Sequence, residues 1–104
     1  MIRHCVMLNL RENAQASELG AVMQGLGDLV DRLADCSGFC AGPNRDYELK
    51  SADFDYGFTL DAISPKALAA YAGHPEHQAL GARLVALCKG EADGIVVFDI
   101  EVSA

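Results

Sequence analysis

The side chains in this sequence best suited to moving a proton are His4, Tyr71, His74 and His77. The last three fall within one run, Tyr71-Ala72-Gly73-His74-Pro75-Glu76-His77. An imidazole titrates near neutral pH and can take a proton from a carbon next to a carbonyl. An inward-pointing phenol can steady the resulting enolate oxygen by donating a hydrogen bond. These residues also have structural uses. His77 falls on the apolar stripe of a helix, so it is either a hydrogen-bonded residue fixing a helix junction or a general base or substrate anchor. Tyr71 is either a core tyrosine with a satisfied hydroxyl or the partner of that base. His4 makes either a structural hydrogen bond or part of a pocket wall. His74, just before Pro75, suits a junction or cap.

Metal chemistry is not expected. Cys36 and Cys40 are spaced as one half of a zinc site could be, but no second tight pair completes four ligands. His74, Glu76, His77 and Asp99 form neither an HExxH arrangement nor a paired-carboxylate box. No glycine-rich phosphate loop is present. Cys5, Cys36, Cys40 and Cys88 are expected to be buried, reduced and unreactive. No cofactor is expected.

These residues must be positioned by a regular series of elements. Ile2 to Leu10 alternates as a strand, with His4, Val6 and Leu8 on one face and Cys5 and Met7 on the other. Asn13 is placed to cap a helix whose stripe is Leu19, Val22, Met23, Leu26, Leu29, Val30 and Leu33, ending around Ser37-Gly38. Phe39 to Gly42 reads as a short strand, followed by a polar loop through Asp53. Phe54 to Ala62 alternates as a third strand. Ser64-Pro65 starts a helix that Gly73-His74-Pro75 interrupts. A new helix follows, with His77, Leu80, Leu84, Leu87 and Cys88 inward and a stop at Gly90. Ile95 to Val102 is the last strand.

Strand, helix, strand, strand, helix, strand is the split βαβ order. The expected fold is a single α+β domain over residues 1–104, ferredoxin-like βαββαβ, with a four-stranded antiparallel sheet and helices on one face. The other sheet face is apolar too. Cys5 and Met7 are assigned to it, together with Ile95 and Val97 of the last strand. An apolar second face calls for a partner, and a second copy of the chain is the simplest.

Composition narrows the partners further. The chain is 51% hydrophobic and 22% charged, which suits a folded globule. Its formal charge is −7, without a cluster of Lys or Arg, so neither nucleic acid nor an anionic membrane is an expected partner. The sequence shows no signal-peptide pattern and no apolar run long enough to span a bilayer, so a cytoplasmic location is expected.

With these elements in order, the chain resembles the stress-responsive A/B-barrel (Dabb) family. The likeness rests on Met1 to Leu8, the Gly42-Pro43-Asn44 loop, the aromatic strand Phe54 to Leu60, Tyr71 to His77, and Val96 to Glu101. It spans essentially the whole chain. The resemblance implies a dimeric α+β barrel built from two packed sheets. Some plant members are polyketide cyclases that perform an intramolecular aldol condensation without a cofactor. Carried over by position, Tyr71 and His77 match the cyclase pair and His4 matches a pocket histidine. Leu26 stands where the cyclase has a pocket tyrosine, and Tyr56 where it has another pocket histidine. The functional expectation is a homodimer binding a small apolar carbonyl compound between sheet and helices. The alternative is a cofactor-independent enzyme, such as a polyketide cyclase or a monooxygenase-like enzyme.

Overall fold

The computed structural model describes residues 1–103. Its elements are β1 (Ile2–Leu8), α1 (Ala16–Arg32), β2 (Cys36–Pro43), β3 (Tyr56–Ala62), α2 (Pro65–Gly73), α3 (Pro75–Leu87) and β4 (Ile95–Glu101), with a short 3₁₀ turn at Glu91–Gly94. The strands form one antiparallel sheet in the order β2-β3-β1-β4. This is the α+β ferredoxin-like fold expected. His74 and Pro75 divide the second helical layer into α2 and α3, and the His74 N–H still closes on the Tyr71 carbonyl at 3.1 Å.

The core lies between the helices and one face of the sheet. Val6, Leu8, Phe58 and Leu60 from the strands meet Val22, Leu26, Leu29 and Val30 from α1, and Tyr71 and Leu84 from α2 and α3. Two close approaches depend on glycine. A Cβ at Gly25 would lie 2.8 Å from the Leu80 side chain. One at Gly57 would lie 2.5 Å from the Met7 sulfur, so Met7 lies across β3 on the outer face.

Several element ends differ from the sequence reading. Gln15, without a side-chain hydrogen bond, takes the N-cap of α1 in place of Asn13. The helix stops at Leu33, well before Gly38, because β2 already begins at Cys36. Gly38 has another job. With φ at 69° it sits in a β-bulge between Ser37 and Cys40. The bulge lets Phe39 pack against Phe58, ring centroids 5.6 Å apart. That break in alternation hides the first half of the strand from a period-two reading. Phe54 belongs to the loop, its N–H bonded to the Ser51 carbonyl, and β3 starts at Tyr56.

The free sheet face also needs correction. Met7 pairs with Val96, Cys5 with Phe98 and Arg3 with Ile100. Residues directly opposite in an antiparallel pair share a face, so Val96, Phe98 and Ile100 stand beside Cys5 and Met7. Ile95 and Val97 instead pair with Leu8 and Val6 on the helix side. The cysteines divide likewise. Cys36 and Cys88 are buried, and burial raises their thiol pKa values. Cys5 is half-buried and Cys40 exposed, contrary to expectation, because both lie on the free face.

Candidate functional site

His4 is placed by the alternation of β1, one pleat from Val6 on the helix-facing side. Its direct partner across the β1–β4 ladder is Asp99. The two side chains meet with His4 Nδ1 2.6 Å from Asp99 Oδ1. A carboxylate oxygen accepts, so Nδ1 is the donor in this contact. The imidazole is mostly enclosed, its side chain 15% exposed, while the Asp99 side chain is 45% exposed.

Behind His4 stand Tyr71 and His77. The Ser64 hydroxyl caps α2 by accepting from the Ala67 N–H at 3.1 Å, and Pro65 opens its first turn. This orients α2 so that Tyr71 is fully buried. His74 then caps α3, its Nδ1 accepting from the Glu76 N–H at 3.1 Å. Arg32 of α1 grips Glu76 through two hydrogen bonds, fixing the turn that carries His77. The Tyr71 and His77 rings lie edge to face, centroids 4.6 Å apart, and Tyr71 meets His4 in the same manner at 6.1 Å.

Burial dominates the electrostatics here. It pushes the Tyr71 phenol well above its ordinary range, with Cys36 adding to the shift, so the hydroxyl stays protonated and can donate. Burial also lowers the His77 pKa. The Ala72 backbone partly opposes this, and His4 and His74 reinforce it. His77 is therefore a neutral imidazole at pH 7. Among the described residues, the Tyr71 hydroxyl and His77 Nδ1 are both buried without a hydrogen-bond partner. Polar atoms in that state are rare and costly.

In front of His4 opens a pocket of about 450 Å³. Its apolar walls are Ile2 from β1 and Pro65, Leu68, Ala69 and Ala72 from α2, while His4 and Asp99 supply the polar side chains. That size and composition are those of a small-ligand site, for which volumes of roughly 300–1,000 Å³ are usual. His4, Tyr71 and His77 are thus brought into one cluster. Leu26 is in the core, 1% exposed. Tyr56 pairs with Leu8, about 13 Å along the strand from His4 at ~3.3 Å per residue. There it lines a separate groove of about 400 Å³ with Met23, Phe39, Asp28 and Asp31.

Asp99 is the site residue that sequence reasoning missed. It stands alone as an acid within the apolar run Ile95 to Ile100. Only the strand register, however, reveals that it faces His4. Among the described residues, no group of three or more His, Cys, Asp or Glu side chains is placed to hold a metal ion. No helix among them is long and apolar enough to cross a membrane.

Comparison with known proteins places this geometry in a family. No curated protein matches the sequence. Among solved structures, a dimeric ferredoxin-like protein of unknown function from Jannaschia sp. CCS1 is 42% identical, with a TM-score of 0.92 over 97% of this chain and 98% of that one. A Dabb-family protein from Mesorhizobium loti shares the fold at 18% identity and a TM-score of 0.74, over 99% of this chain and 97% of that one. A hydroxynitrile lyase from Passiflora edulis shares it at 12% identity and a TM-score of 0.82, over 98% and 93%. The family model for the stress-responsive A/B barrel domain matches residues 2–102. The chain belongs to the stress-responsive A/B barrel (Dabb) family.

Proposed function

We propose that this protein is a homodimeric small-molecule-binding barrel that takes a small apolar carbonyl compound into the pocket between β1, β4 and α2. The observation behind this reading is a pocket with apolar walls and a single polar pair, His4 and Asp99, able to orient a ligand oxygen. Dimerisation is supported by the free sheet face, where Phe98 is 57% and Ile100 50% exposed beside Met7 and Cys5. One copy alone leaves this patch wet. The Jannaschia relative is described as dimeric.

A second reading is a cofactor-independent enzyme, such as a polyketide cyclase closing a ring by aldol condensation or, less favoured, a monooxygenase-like enzyme. What favours it is the buried Tyr71 hydroxyl and His77 Nδ1, both unpartnered and stacked behind His4. The Passiflora lyase shows that the fold accommodates an enzyme. The test is a titration of isotopically labelled protein with a panel of small ketones and aldehydes, followed by amide NMR. Binding as proposed shifts Ile2, His4, Ala69, Ala72 and Asp99. Shifts confined to Phe39 and Tyr56 would move the site to the other groove, and no shifts across the panel would contradict the reading.

A further inference from the structure

We propose that the loop between β2 and β3, residues 44–55, is an arm that grips a second copy of this chain through Tyr47 and Leu49. This rests on the reading of the protein as a homodimer and adds to it a contact outside the sheet. Tyr47 is 89% and Leu49 85% exposed, the highest values for large apolar side chains among the described residues. Scattered singly, such residues need no explanation. Set two apart on one rigid loop, they do.

The loop is built, not slack. Asn44 donates from Nδ2 to the Ser51 hydroxyl at 2.9 Å and to the Phe54 carbonyl at 3.0 Å. Asp46 accepts from the backbone N–H groups of Lys50 and Ser51 and from the Ser51 hydroxyl, each at 2.9 Å. These bonds brace a segment in which Asp46 and Leu49 take the left-handed backbone, at φ 47° and 57°. A leucine is strained there, and strain that the surroundings enforce points to a use beyond the loop itself.

The free sheet face shows how a second copy would meet this arm. From Val96 on β4 the row across the sheet ends in Gly57 and Gly42, and from Phe98 it ends in Thr59 and Cys40. Large side chains therefore form a ridge along β4, and small ones leave a hollow along β2 and β3. The hollow is a groove of about 330 Å³ that runs from Met7 to Asn44, at the root of the loop. A twofold axis parallel to the strands lays the ridge of each copy in the hollow of the other. An axis across the strands sets ridge on ridge and leaves both hollows void. Close packing selects the first. It also keeps matching strand ends together. The loop leaves β2 at Pro43, so it stands beside the start of β4 in the second copy, where Tyr47 and Leu49 can be covered.

Sedimentation equilibrium of the full chain tests the arm. The double variant Tyr47→Ser, Leu49→Gly should raise the dimer dissociation constant roughly tenfold or more, as the loss of two apolar anchors does. In the Phe98→Asp background, where the sheet face cannot pair, the same two changes should leave the urea midpoint unchanged. Glycine accepts the left-handed backbone at Leu49, so no fold defect is expected. The chain has no tryptophan, so Tyr47→Trp adds an isolated emission at the arm. That emission should shift to the blue as rising concentration drives the monomer into the dimer, and stay that of an exposed indole in the Phe98→Asp background. Should the double variant fail to fold, the emission decides.

An unchanged dissociation constant in the folded double variant, or an exposed indole in the dimer, would overturn the arm while leaving the homodimer reading intact. A wild-type chain that stays at 11.1 kDa across the concentration range would overturn both.

Discussion

At the scale of single residues, the unusual feature is a pair of buried polar atoms, the Tyr71 hydroxyl and His77 Nδ1, that lack a hydrogen-bond partner among the described residues. The Tyr71 hydroxyl has no partner among the described residues, so removing it should not weaken the fold. Tyr71→Phe keeps the ring and its packing, and is expected to be neutral or to stabilise by about 1 kcal/mol in urea unfolding. A loss of that size would mean the hydroxyl is satisfied after all. His77 makes a different prediction. Its pKa is lowered in the folded state, so the unfolded chain binds the proton more readily. The stability it contributes is complete above the unfolded value of about 6.5 and is lost as pH falls through the folded one. The carboxyls of Glu18, Asp46, Asp61 and Glu76, held low by Arg83, Ser51, Arg3 and Arg32, act only at lower pH. Wild type should therefore melt at a lower temperature at pH 5.5 than at pH 7.5, and His77→Gln should flatten that difference. An unchanged pH dependence in the variant would contradict this. His4, Tyr71 and His77 are grouped by the resemblance to the cyclases, while strand alternation and helix periodicity turn His4 and His77 inward. Asp99 could not, since its meeting with His4 depends on which residue of β4 opposes which residue of β1.

At the scale of elements, strong local chemistry was readable and compensated irregularity was not. Ser64-Pro65 and His74-Pro75 start α2 and α3 as their cap and proline positions dictate. Ser64→Ala should cost about 0.5–2 kcal/mol, the usual penalty for losing an N-cap oxygen, read by urea denaturation. No loss would mean the cap is redundant. Leu26 presents a similar test of placement. As a core residue of α1 it should cost about 2–5 kcal/mol when cut to Ala, with ketone binding retained at a temperature where the variant is folded. A small stability cost with lost binding would instead make it a pocket wall. The start of β2 escaped the sequence because Gly38 and the bulge break its alternation while seating Phe39 on Phe58. The C-terminus of α1 escaped because Gly38, a good helix stop by composition, serves that bulge.

At the scale of the whole molecule, the sequence makes both sheet faces apolar, but alternation alone assigns the faces of the last strand the wrong way round. A slip of one residue exchanges the faces of a strand completely. In β4 the larger set, Val96, Phe98 and Ile100, lies on the free face and not against the helices. If that face pairs with a second copy, Phe98→Asp should yield a folded monomer in sedimentation at micromolar concentration. Val97→Asp, half-exposed on the helix side, should leave assembly unchanged. A persistent 11.1 kDa species for wild type would refute the dimer. The pocket lies on the opposite face of the sheet from that interface, so ligand binding and assembly can be tested separately. Whether the pocket beside His4 binds a carbonyl compound is decided by a crystal structure of the wild-type protein with the tightest-binding ketone of the panel. The expected result is density for the ketone between Ile2, Leu68 and Ala72, its oxygen within reach of His4. Density in the groove beside Tyr56 and Phe39, with the His4–Asp99 pocket empty, would contradict it.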